Sequence, residues 1–207
     1  MIGKLQYVAH TKPDIALVVG MVARFSSNPK ENHMMTIMRI MRYLQGIEDY
    51  GLWYKKGGNF DLKSFIDADW AGSVDDRKST SGEALFLGKR LVSWSSKQQN
   101  CISQSTPEIE YIFVVVNCSN IICFKHLLSN MKEEIKEPVI IYCDNTSVIH
   151  ILKNPVMHTK TKCITIKYHF LRELVQDKEV ILEYVNNKDQ ISNIFTKPLP
   201  KDAFLYL

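Results

Sequence analysis

Two periods of hydrophobic patterning run along this chain, and the change from one to the other divides it. Thr11-Lys12-Pro13-Asp14 combines a candidate capping Thr, an early Pro and a first-turn Asp, and the apolar stretch that follows to Phe25 predicts a helix. Asn28-Pro29 opens a second helix, with Met34, Ile37, Met38, Met41 and Leu44 at helical spacing, Arg39 and Arg42 between them, and Gly46 as a stop. The two are expected to pack as a hairpin. The period then shortens. GLWY at 51–54, Lys56-Gly57-Gly58 and LKSFID predict strand, turn and strand, and LKSFID, EALFLG and LVSWSS predict an antiparallel meander.

A long helix is expected from about Thr106 to about Asn130, with Ile109, Ile112, Phe113, Val116, Ile122 and Leu127 on its apolar face. Ser105 and Glu108 fit a capping box, and Pro107 lies in the first turn, where its missing N–H does little harm. VIIYC at 139–143 is a continuous apolar run and predicts a central strand buried on both faces, ending at Asp144-Asn145. A short helix through Leu152, a longer one through YHFLRELV at 168–175, the strand VILEYV at 180–185 and a short helix around Ile191 to Thr196 complete the order. Three strands, helix, strand, helices, strand, helix is an α/β layer architecture with a mixed sheet.

Composition narrows this picture only slightly. The 207 residues are enough for one good core, and a formal charge of +4 permits a nucleic-acid partner without demonstrating one. Cys101, Cys118, Cys123, Cys143 and Cys163 form no CxxC pair or zinc spacing, so they are expected to be reduced, mostly buried thiols of an intracellular protein. The N-terminus shows no signal pattern, and IALVVGMV at 15–22 is too short to span a bilayer, so no membrane is expected.

Three acidic residues fall where an α/β sheet gathers ligands: Asp67 at a strand end, Glu110 in the first turn of the long helix, and Asp144 at the end of the buried strand. Carboxylates so clustered repel one another and make sense around a hard divalent cation such as magnesium. Taken singly, each has a plainer reading, because Asp ends strands as a turn former and Glu in a first helical turn suits the dipole.

The residues around these acids carry a resemblance. DADWAG at 67–72, DRKSTSG at 76–82, SWSSKQQ at 93–99, CDNTSVI at 143–149, KNPVMHTKTK at 153–162, YHFLRE at 168–173 and IFTKPLP at 194–200 resemble, in order, the ribonuclease H region of copia-type retrotransposon polyproteins. TKPDIA, RFSSNP, RYLQG and DYGLWY resemble the stretch that connects the reverse transcriptase to it. The resemblance implies a ribonuclease H-like α/β fold, a mixed sheet of about five strands flanked by helices, in residues 56–207. It also implies an N-terminal helical appendage, residues 1–55, like the end of a reverse transcriptase.

It further implies metal-dependent hydrolysis of RNA in RNA–DNA hybrids during reverse transcription, with two magnesium ions, for which manganese can substitute. Asp67, Glu110 and Asp144 match the family's metal ligands, and Asp69 is a supporting acid. The late acid before IFTK is here Asn193, which keeps a carbonyl oxygen but lacks the charge, so one metal is expected to bind more weakly. Pro107, Cys163 and Thr165 are further departures from the family pattern. Phosphate contacts are expected from Arg77, Lys78, Lys97, Lys160 and Lys162, which flank the acidic motifs; each could equally be solvated surface. Trp70 and Trp94 are expected to pack rather than to stack on bases. The implied partners are an RNA–DNA hybrid and the upstream reverse transcriptase part of the same polyprotein. Two alternatives remain. A non-catalytic remnant would keep the fold with weak or no nucleic-acid binding, and another nuclease or integrase could share the fold.

Overall fold

The computed structural model describes residues 1–69, 78–99, 106–153 and 162–207. Its centre is a five-stranded sheet in the order β3-β2-β1-β4-β5. Strands β1 (Leu62–Asp69), β2 (Thr80–Leu87) and β3 (Arg90–Gln98) form the expected antiparallel meander; β4 (Val139–Cys143) and β5 (Val180–Tyr184) add to β1 in parallel. The β2–β3 turn requires Gly88, whose φ of 64° is a left-handed conformation that side chains resist.

Helix α4 (Thr106–Asn130) covers one face of the sheet, joined there by α5 (Thr146–Lys153) and α6 (Lys162–Gln176). Its buried stripe is Val114, Cys118 and Ile121, with Tyr111, Phe113, Val115 and Leu128 beside it. The expected face was rotated from this: Phe113 is buried, but Val116 and Leu127 are exposed. The helix is apolar on nearly every side, so periodicity sets no phase and the sheet chooses one. The stretch Glu110–Asn130 is long and apolar enough to cross a membrane by length and composition, yet here its stripe lies on the sheet. β4 is buried on one face through Val139, Ile141 and Cys143, and only half-covered on the other, where Tyr142 stacks on Phe65 with ring centroids 4.8 Å apart. Full burial on both faces was expected and is not found.

The opposite face carries the segment 187–196, including a 3-10 turn at Ile191–Phe195. Gln190, fully buried, donates from Nε2 to the carbonyl of Ile66 at 2.8 Å, and Ser96 Oγ donates to the carbonyl of Phe195 at 2.6 Å. Gly82 makes this approach possible. A Cβ there would sit 2.7 Å from Phe195 Cβ and 2.8 Å from Thr196 Cγ2.

The N-terminal region has its own apolar cluster: Leu5, Ile15, Val19, Val22, Ile37 and Ile40, drawn from α1 (Ile2–Ala9), α2 (Ala16–Ala23) and α3 (Glu31–Gly46). Helix α1 was not expected. Thr11 serves its end, donating from Oγ1 to the carbonyl of Val8, rather than capping the next helix, which a 3-10 turn at Pro13–Ile15 leads into. On α3, Ile37 and Leu44 pack inward as expected, but Met34, Met38 and Met41 are exposed and Ile40 takes the core position. GLWY at 51–54 is not a strand; Tyr54 instead donates to the carbonyl of Leu91 at 2.8 Å, and a residue pinned by its side chain needs no ladder. The terminal helix α7 (Lys201–Tyr206) was also unforeseen. Among the described cysteines, Cys118 and Cys143 are buried thiols and Cys123 is exposed.

Candidate active site

Parallel pairing of β1 with β4 sets Ile66 against Cys143, so Asp67 and Asp144 are the next residues along two neighbouring strands at their carboxyl ends. Glu110 arrives from the first turns of α4. The three predicted acids therefore come together. The thiol of Cys143 donates to Glu110 Oε2 at 3.4 Å, and oxygens of Glu110 and Asp144 lie with that sulfur within 4.8 Å of one another. Asn145 holds Glu110 from the other side, donating from Nδ2 to Oε1 at 3.1 Å, while its own Oδ1 accepts from the backbone N–H of Ser147 and so caps α5.

Electrostatically the cluster is anionic and poorly solvated. Burial pushes the Glu110 carboxyl up to about 7, with the nearby charges of Asp144 and Asp67 raising it further and hydrogen bonds from Asn145 and Cys143 opposing. Asp144 and Asp69 are raised too, by burial first and by Asp67 second. Burial and Glu110 raise the Cys143 thiol, which is thus a neutral donor. One cation is built in. Lys197 Nζ lies 3.7 Å from Asp67 Oδ2 and lowers both Asp69 and Asp144. Thr196 Oγ1 donates to the same Asp67 oxygen.

Asn193 lies one turn before these two residues. It is 3% exposed, its Nδ2 donates to the carbonyl and Oδ1 of Asn187 at 2.8 Å each, and its Oδ1 is buried with no partner among the described residues. The carboxylates of Asp67, Glu110 and Asp144 are hard-oxygen donors whose mutual repulsion a divalent cation would relieve, so the residues present fit one.

Of the expected phosphate contacts, Lys97 is exposed on the edge strand β3, lining a cleft away from Asp67, and Lys78 leads into β2. Arg77 and Lys160 lie outside the described residues, as do Trp70, the Ser105 cap and the side chains of Lys162, Cys163 and Thr165. Trp94 is half-buried and donates from Nε1 to the carbonyl of Ala9 at 3.0 Å, which is packing, as expected. Cys143, Asn145, Thr196 and Lys197 had not been singled out. The last two sit in IFTKPLP, quoted for its resemblance, but no charge or periodicity signal tied them to Asp67.

A mixed sheet with α4 on one face and carboxylates at the strand ends is the ribonuclease H fold. LC11-RNase H1, isolated from compost by a metagenomic approach, superposes with a TM-score of 0.50 at 11% identity over 66% of this chain and 93% of its own. No profile of a known protein family matches the chain. Over 204 residues, 99% of its length, it is 39% identical to the retrovirus-related Pol polyprotein from transposon RE1 of Arabidopsis thaliana, and 37% identical to that from transposon RE2 of the same plant. It is 36% identical over 98% of its length to the Pol polyprotein from transposon TNT 1-94 of Nicotiana tabacum. The chain belongs to the Pol polyproteins of copia-type retrotransposons, and it spans about 14% of the length of those Arabidopsis relatives.

Proposed function

We propose that this chain is a ribonuclease H that cuts the RNA strand of RNA–DNA hybrids in a metal-dependent way, within a reverse-transcribing polyprotein. The observation that carries this reading is the convergence of Asp67, Glu110 and Asp144 at the carboxyl ends of β1 and β4, around a site whose acids are already raised by burial and mutual repulsion. Asp67, Glu110 and Asp144 would hold the metals, with Asn193 Oδ1 a weaker ligand. Two magnesium ions, when bound, supply the activation of water and the stabilisation of the leaving oxygen. The residues do the rest. Asn145 and Cys143 orient Glu110, Thr196 fixes the rotamer of Asp67, and Lys197 shares the cluster's charge. Arg77, Lys78, Lys97, Lys160 and Lys162 are the candidate phosphate contacts. Residues 1–55 are read as the end of the reverse transcriptase, and the rest of that enzyme as their partner.

The test is a labelled RNA–DNA hybrid, with and without magnesium or manganese, beside single-stranded RNA and an Asp67→Asn control. Metal-dependent cutting of hybrid RNA that drops by about a thousandfold or more in the control is expected, as for loss of a group that stabilises the transition state. A second reading, the non-catalytic remnant, is favoured by one residue, Asn193. It predicts no cutting and no recovery in Asn193→Asp, whereas a weakened enzyme gains activity from that change. Thermal stabilisation by magnesium or manganese separates the readings without any substrate.

A further inference from the structure

On the α4 side of the sheet, away from Asp67, a cleft of about 670 Å³ opens where α1 and α2 meet β3 and α4. Its walls are largely apolar, from Val19, Leu85, Phe124, Leu127 and Trp94. A carboxylate, that of Glu83, also lines it and is 4% exposed. A buried carboxylate is costly unless a cation answers it. Glu83 has amides instead. Asn120 donates from Nδ2 to both carboxylate oxygens at 3.0 Å, and Asn117 donates from Nδ2 to Oε2 at 3.2 Å and to Ser64 Oγ at 2.8 Å. Orienting Asn117 this way leaves its Oδ1 buried with no partner among the described residues. Among the described residues no Lys or Arg nitrogen forms an ion pair with Glu83.

Three other titratable side chains line the cleft, one of them the Cys123 thiol of α4. His10 comes from the end of α1. Lys97 pairs with Ser81 while Ser95 pairs with Glu83, so Lys97 is a diagonal neighbour of Glu83 on the same face, with its side chain exposed. The amide network satisfies hydrogen bonds without cancelling charge. An ionised carboxylate has about four lone-pair positions, and three amide contacts leave one open.

We propose that this cleft binds a small organic cation, an ammonium on an alkyl or aryl-alkyl body, with Glu83 as its anchor. The ammonium takes the open position on the carboxylate as a charge-assisted hydrogen bond, and the body lies on Leu85, Phe124 and Leu127. Volume, apolar walls and one buried counter-charge are the features that recognise such a ligand. The site does not rest on the hydrolytic reading above. It uses no residue of that cluster.

Hexylammonium chloride is the probe, titrated calorimetrically into the full chain, with 1-hexanol and hexanoate as neutral and anionic counterparts. Saturable binding of hexylammonium at millimolar concentration, at least about tenfold tighter than either counterpart, is expected. Glu83→Gln should weaken it by about tenfold or more, and Asp67→Asn should leave it unchanged. If Glu83→Gln fails to fold, Leu127→Trp closes the cleft from its exposed rim and should abolish binding. Once hexylammonium binds, a lysine-centred pentapeptide tests whether the same ammonium can come from another polypeptide, and Glu83-dependent binding of that peptide upholds the site for both sources. The proposal is overturned if hexylammonium does not bind, if hexanol binds as well, or if binding survives both Glu83→Gln and Leu127→Trp.

Discussion

Asp67 and Glu83 begin from the same predicament. They sit on neighbouring strands, one register step apart and on opposite faces of the sheet, and both are almost fully buried. Asp67 faces other acids, Asp69, Asp144 and Glu110, together with one ammonium and a hydroxyl. Glu83 faces neutral amides and no other acid that the described residues bring to it. Burial alone therefore says little about what a carboxylate is for; the charge of its neighbours says more. Crowded acids store repulsion that a multivalent cation relieves, whereas a lone acid in a neutral shell calls for a single positive charge.

The largest expected effect that sharpens this contrast is on stability against pH. The Glu110 carboxyl is raised from about 4.5 to about 7 in the folded chain, so its contribution to stability is complete below pH 4.5 and is lost as pH rises to about 7. Above that, ionised Glu110 costs the metal-free fold at most about 3 kcal/mol. Urea denaturation should show stability falling across this window, with Asp144 and Asp69 adding in the same sense, and Glu110→Gln should flatten the slope and stabilise the neutral metal-free chain. Magnesium or manganese should then stabilise the parent and not the variant. Should Glu83→Gln rather than Glu110→Gln remove the response to metal, the assignment of the two faces is wrong.

A smaller effect separates the faces by packing. Gly82→Ala would place a methyl group 2.7–2.9 Å from Phe195, Thr196 and Ser192, on the Asp67 side only. Overpacking of this kind costs about 1–3 kcal/mol, a fall of several degrees in Tm measured by calorimetry. Because relief requires the 191–196 segment to lift, Thr196 and Lys197 should leave Asp67, and hybrid cutting should drop more than the loss of folded protein explains. Equal losses would mean that the segment packs the sheet without serving the site.

The sequence made some of this legible and hid the rest for physical reasons. The short strand-forming runs LKSFID, EALFLG and LVSWSS, set apart by turn-rich segments, are enough to place the meander, and the start of α4 at Thr106 follows from the Pro and acidic residues of its first turn. The phase of α4 was illegible because a helix apolar all round has no preferred face. The methionines of α3 misled for a related reason: Met34, Met38 and Met41 have helical spacing, but the small N-terminal cluster is filled by Ile37 and Ile40 and leaves them outside. Asp67, Glu110 and Asp144 could be gathered because strand ends and helix starts are local signals. Lys197, 130 residues from Asp67 along the chain, could not, since its place depends on Gly82 admitting a distant turn. Glu83 was missed because a single acid within a strand carries no spacing signal.

Lys197 gives the subtlest test of the crowded face. Its ammonium is 3.7 Å from Asp67 and its side chain is one-third exposed, so solvent screening limits the pair to about 1 kcal/mol. In Lys197→Ala the acids lose this ammonium, and the metal-free chain should melt a few degrees lower. The same loss removes a competitor. Magnesium should then stabilise the variant at several-fold lower concentration than the parent, while Lys197→Arg should keep both properties near their original values. Those two shifts have opposite sign, which a merely structural lysine does not produce: if it only held the 191–196 segment, Lys197→Ala would weaken the fold and the metal response together. If neither quantity moves, the contact with Asp67 is incidental and the cluster's charge is balanced by metal alone.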